Sequence, residues 1–152
     1  MKGDLKSFLG IITDNWREPD GNINDLLDFD SYHLIPNKPG AYIIIATDKK
    51  TKFIYPRGES RVIYIGKAKD LNKRLSSHYK TAKKFDKMSL EKRLEYWYYQ
   101  RYQYIKEFGG ALYWYTTRGP QSPEKLEHDL LASFYNRYYA LPVGNGAFPK
   151  FH

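Results

Sequence analysis

Two tyrosines in strand-like runs, an arginine and a histidine one helical turn apart, and a late glutamate are the residues here whose types and order could do chemistry together. They fall in PGAY (39–42), VIYIGKAKDLNKRLSSH (62–78) and KLEHDLLASF (125–134), followed by PVGN (142–145). Cleaving a phosphodiester needs a positioned nucleophile, stabilisation of charge at the phosphate and usually a hard cation held by carboxylate. Tyr42, Tyr64, Arg74, His78 and Glu127 contain those groups. The planar guanidinium of Arg74 suits a phosphate. His78, four residues on, can reach the same phosphate as a hydrogen-bond donor or proton carrier. Glu127 sits among Leu126, Leu130, Leu131 and Phe134, so it borders the buried face of its helix and needs a partner. Mg²⁺, with Mn²⁺ as a substitute, is the economical one, because such an ion takes one or two carboxylates plus phosphate oxygen; a salt bridge to a basic neighbour is the plain alternative. Glu124 and Asp129 compete for the ligand role, Glu124 as a first-turn charge and Asp129 on the opposite side of the helix.

The chain holds 152 residues, enough for one domain with a real core and cramped for two. Its 25 Lys and Arg against 17 Asp and Glu give a formal net charge of +8, which favours an anionic partner such as DNA without deciding for one. Lys67, Lys69, Lys73, Lys83 and Lys84 are the candidate phosphate contacts. The absence of cysteine excludes disulfides, thiolate metal sites and cysteine nucleophiles, and is compatible with a reducing cytosol. The N-terminal apolar run from Phe8 to Ile12 is too short for a signal peptide or membrane span, so a cytoplasmic protein without a membrane partner is expected.

The elements that must position these groups follow from periodicity and turn residues. Leu5, Phe8, Leu9 and Ile12 recur at helical spacing between Asp4 and Trp16, and Leu26, Leu27 and Phe29 suit a turn or short helix docked on the core. Ala41 to Thr47 and Arg61 to Gly66 read as two antiparallel strands, with FIYPRGES between them as hairpin extension or loop. Asp70 caps a helix through 71–84 whose Leu71, Leu75 and Tyr79 share one face, with Arg74 and His78 on the adjacent stripe. A helix is expected from Ser89 to Phe108, where Gly and Pro are absent, and a third strand over 111–117. Its aromatics, interleaved with Arg93 and Arg101, are divided between core packing and DNA contact. Ser122 and Pro123 then open the helix that carries Glu127, and a Pro/Gly-rich coil closes the chain. The fold class is α/β (α+β), a small three-stranded antiparallel sheet flanked by helices.

In this order the motifs resemble the GIY-YIG nuclease family. Gly40-Ala41-Tyr42 stands for the first half-motif, with Ala41 in place of isoleucine, and Tyr64-Ile65-Gly66 is the second half-motif in full. Arg74 follows on the next helix, Glu127 on a later one, and Asn145 after that. The resemblance implies a nuclease domain over 39–152 with residues 1–38 as an extension packed on it. It further implies a tyrosine that activates water, here Tyr42 with Tyr64 orienting water or phosphate; Tyr42 and Tyr64 would face each other across the paired strands. Glu127 would hold the metal, and Asn145 would support the metal or phosphate. The 22-residue interval between the tyrosines marks an insertion in the hairpin. A DNA-binding module that kept this fold without catalysis is the main alternative, and an enzyme acting on a small phosphorylated substrate is a third reading. Target choice would come from the insertion, the N-terminal extension, a homodimer or a partner protein.

Overall fold

A computed structural model describes residues 18–48, 50 and 52–145. The helix expected between Asp4 and Trp16 and the coil beyond Asn145 lie outside the described residues. The described residues form six strands and four α-helices: β1 (Gly21–Ile23), β2 (Gly40–Ile45), β3 (Phe53–Tyr55), β4 (Gly58–Ser60), β5 (Val62–Ala68), α1 (Leu71–Asp86), α2 (Leu90–Leu94), α3 (Tyr99–Phe108), β6 (Ala111–Thr116) and α4 (Pro123–Tyr138), with a 3₁₀ turn at Phe29–Leu34. The α+β class is as the pattern predicts, and the three expected strands are β2, β5 and β6. They pair antiparallel, with β1 added at one edge, in the order β1-β6-β2-β5. That fourth strand is three residues long, too short to show a period of two in the sequence.

All six residues of β2 are buried, because both faces of the sheet are covered. On one face Tyr42, Ile44, Tyr64 and Trp114 pack with Leu71, Leu75 and Phe85 of α1 and Tyr102 and Ile105 of α3. On the other, Ala41, Ile43, Ile65 and Tyr115 pack with Leu126, Leu130 and Phe134 of α4. The long helices start where the sequence places caps: the Asp70 carboxylate accepts from Lys73 N, and Ser122 Oγ accepts from Lys125 N. The buried stripe of α1 runs Leu71, Leu75, His78, Ala82 and Phe85. It therefore includes His78, with Tyr79 only partly buried against the core.

The helix expected from Ser89 to Phe108 is broken into α2 and α3 around residues 95–98. Tyr96 and Tyr98 both pack on Phe85, with ring centroids at 5.6 and 6.0 Å, and on each other at 5.4 Å. In a continuous helix residues two apart point roughly 200° away from each other, so both rings reach Phe85 only if the helix opens there. Burial of two aromatic rings outweighs the lost helical hydrogen bonds.

The segment between β2 and β5 forms its own ribbon, β3–β4, closed by Pro56 and Arg57 with Gly58 at φ 135°. Phe53 packs on Tyr104 and Phe108, and Tyr55 on Phe134 and Tyr138. The ribbon joins β5 at its first residues, roughly 17 Å along the strand from Lys67.

Candidate active site

Tyr42 and Tyr64 share one face of the sheet but are not directly opposed. In the β2–β5 register Tyr42 pairs with Gly66 and Tyr64 with Ile44, so the two rings are diagonal neighbours with centroids 6.0 Å apart. Gly66 makes this possible. A Cβ at that position would lie 2.5 Å from Cζ and the hydroxyl of Tyr42 and 2.6 Å from Cε2 of Tyr64, so the missing side chain is the space both rings occupy.

Tyr42 is fully enclosed, and its hydroxyl meets His78 Nε2 at 2.5 Å. His78 Nδ1 meets the Tyr102 hydroxyl at 2.6 Å, giving a buried Tyr42–His78–Tyr102 chain. Burial, with Arg74 and Arg101 nearby, holds the His78 imidazole well below its usual range, so the ring is neutral with one nitrogen donating and the other accepting. Burial and then the neighbouring Tyr64 push the Tyr42 phenol well up, against the opposing pull of Arg74 and Arg101. Arg74, exposed on α1, stays firmly charged: partial desolvation works against its charge, and Tyr42 and Tyr64 favour it.

Tyr64 is different. It keeps slight exposure, and among the described residues its hydroxyl has no hydrogen-bond partner. The Arg101 guanidinium lies over its ring at 3.6 Å, with Nε directed to the Gly144 carbonyl at 3.5 Å. In the sequence Arg101 stands only among interleaved aromatic and basic residues. Its position on the stripe Tyr98, Arg101, Tyr102 and Ile105, at helical spacing, is the signal that it points inward. Tyr102, the second partner of His78, lies on the same stripe.

Glu127 is 7% exposed on α4, and among the described residues no side chain bonds or pairs with its carboxylate. Burial raises its pKa, Lys67 lowers it, Glu124 raises it, and Arg101 and Arg74 lower it. Of the two rival carboxylates, Asp129 is engaged by Lys125 at 2.6 Å, while Glu124, one turn before Glu127, is half-buried and lines a groove that Glu127 does not itself line. No group of three metal-ligating side chains occurs among the described residues. A carboxylate completed by water and phosphate oxygen is a donor set of Mg²⁺, and Glu127, or Glu124 in its place, could supply that carboxylate.

A groove of about 390 Å³ is lined by Lys67, Lys69, Lys73, Arg74, Ser77 and Glu124, with Ala68, Asp70 and Pro123 completing the wall. It runs where β5 ends and both long helices begin, and helix N-termini favour anions. Lys67, Lys69 and Lys73 thus join Arg74. Lys83 and Lys84 do not: they lie in the last turn of α1, roughly 14–15 Å along the helix from Arg74, and Lys84 sits over the Tyr96 ring at 5.6 Å. Asn145 bonds both backbone groups of Ile65, accepting from its N–H at 3.1 Å and donating to its carbonyl at 2.9 Å. Gly144 N–H adds a bond to Ile63 O at 2.7 Å. The segment after α4 therefore pairs with the outer edge of β5, fixing the strand that carries Tyr64.

A stretch of 66 residues is 42% identical to UvrABC system protein C of Fervidobacterium nodosum. It covers 43% of this chain and 10% of that protein, so the chain corresponds to a small part of the relative. No family model matches the chain, and no solved structure matches it. Among the described residues no helix is long and apolar enough to cross a membrane.

Proposed function

We propose that the chain is a divalent-metal-dependent DNA endonuclease of the GIY-YIG type, hydrolysing phosphodiester bonds at the groove between β5, α1 and α4. The observation that carries this is Glu127, a buried carboxylate with no partner among the described residues, one turn after Glu124, which lines a groove walled by Lys67, Lys69, Lys73 and Arg74. An isolated buried carboxylate is costly, and a function that needs it offers a reason for it. The similarity to UvrABC system protein C lends support over the stretch it covers.

In this reading the strand backbone lies in the groove with one phosphate at Arg74. Water forms the new bond to phosphorus while the bond to the leaving oxygen breaks. We assign acceptance of the water's proton to Tyr64, acting as the phenolate after its own proton has passed to solvent, rather than to Tyr42, because Tyr64 keeps slight exposure and the Tyr42 hydroxyl is enclosed against His78. The Arg101 guanidinium stacked on the Tyr64 ring at 3.6 Å favours that anion. Tyr42, His78 and Tyr102 hold the floor of the site. Arg74 stabilises charge that grows on the phosphate oxygens, and Lys67 stands beside Glu127 at the same edge. Bound through Glu127, Mg²⁺ would supply Lewis-acid stabilisation of the phosphate.

The test is nicking of supercoiled plasmid with Mg²⁺ and with EDTA, by wild type and Glu127→Ala. Metal-dependent nicking lost in the variant is expected. Binding without cleavage by folded wild type would favour the DNA-binding module instead.

A further inference from the structure

Trp97 is 81% exposed, an unusual state for the largest apolar side chain. Its position follows from the break between α2 and α3: Tyr96 and Tyr98 turn inward to Phe85, and the residue between them turns out. The indole is held at its edge by Tyr98, with centroids 5.2 Å apart. Beneath it stands Arg101, whose guanidinium carbon is 5.9 Å from the Trp97 ring and 3.6 Å from the Tyr64 ring. Those two distances end to end put the indole within about 9.5 Å of Tyr64. An exposed aromatic plane thus borders the candidate active site through one shared arginine.

We propose that Trp97 is a specificity-determining residue that stacks on an unpaired base next to the cleaved phosphate, so that the preferred substrate is DNA with an unstacked nucleotide. The ligand's identity rests on the nuclease reading above. A base inside a continuous duplex has both faces covered by its neighbours, 3.4 Å away, and offers none to an indole. A base in a bulge, flap or strand junction does, and stacking on an aromatic side chain is worth ~1–3 kcal/mol. Charge favours nucleic acid over protein here: Arg101 lies under the ring, and Lys84 sits over the neighbouring Tyr96. Leu90 and Leu94, 53% and 50% exposed on α2, extend the apolar surface and make a second copy of the chain the competing occupant.

The experiment compares binding of two labelled duplexes of one sequence, perfect and with one central bulged nucleotide, in EDTA. It uses wild type, Trp97→Ala and Trp97→Tyr, with plasmid nicking and sedimentation run alongside. Wild type is expected to prefer the bulged duplex about 5- to 150-fold. The preference should fall to near one in Trp97→Ala and return in Trp97→Tyr, and wild-type indole fluorescence should be quenched by the bulged duplex alone. An equal preference in wild type and Trp97→Ala would overturn the proposal, as would a dimer that Trp97→Ala dissociates without changing the preference. Nicking with no bulge preference refutes the role of Trp97 and leaves the nuclease reading standing. A Trp97-dependent preference without nicking supports stacking and counts against catalysis. No binding of either duplex at low salt overturns both.

Discussion

Gly66→Ala should damage stability and activity together, because the space it fills is shared by both site tyrosines. The Gly66 backbone is not in the left-handed region, so the requirement is for room and not for an unusual φ. An added methyl would stand 2.5 Å from Tyr42 and 2.6 Å from Tyr64, about 0.8–0.9 Å inside the 3.4 Å at which ordinary contact begins. Neither ring has slack: Tyr42 is bonded to His78 at 2.5 Å, and Tyr64 lies under Arg101 at 3.6 Å. A displacement of ~0.9 Å takes the Tyr42–His78 bond beyond good hydrogen-bond range. Overpacking of this kind costs roughly 1–3 kcal/mol, and misplacing a reacting group by ~1 Å costs about 10²-fold in rate. Urea denaturation would read the first and plasmid nicking the second. In a Tyr42→Leu background the same alanine should cost less, since one of its two clashes has gone. A Gly66→Ala protein within ~0.5 kcal/mol of wild type, nicking at more than half its rate, would refute the packing argument.

Four further outcomes follow. Arg74→Lys should lower nicking about 10²–10³-fold with little change in the urea midpoint, because an ammonium does not reproduce the planar fork at phosphate. His78 is depressed in the folded state, so its contribution is fully present above the unfolded value of about 6.5 and is lost as pH falls below it. Stability should drop by about 1.4 kcal/mol per pH unit in that window, and His78→Gln should remove this slope in urea titrations across the acid range. Asn145→Ala, which removes both bonds to Ile65, should cost roughly 1–3 kcal/mol and speed hydrogen exchange of the Ile65 amide. Glu127→Gln should stabilise the metal-free protein at neutral pH by on the order of 1 kcal/mol, seen as a higher melting temperature, because it removes a buried charge that has no partner among the described residues.

What the sequence disclosed and what it hid divide along the range of the interactions. Caps are local, and Asp70 and Ser122 start their helices where their side chains predict. The apolar run of β2 reads as a buried strand because both sheet faces are covered. The convergence of Tyr42, Tyr64, Arg74 and His78 was legible as an ordered motif, but their contacts were not. The diagonal placement of the tyrosines depends on register, which Gly66 helps set through space that a sequence does not display. The break between α2 and α3 depends on Phe85, more than ten residues earlier, so no local propensity announces it. Arg101 was hidden for another reason: an arginine at an inward position is read as solvated unless the ring it covers is known.

The most direct test of the account is the rate of plasmid nicking in saturating Mg²⁺ by wild type and by Glu127→Gln shown to be folded. Nicking by wild type, its loss in the variant, and a variant at least as stable as wild type without metal are the expected results. Nicking by Glu127→Gln at the wild-type rate would contradict them, because the buried carboxylate would then have no part in cleavage.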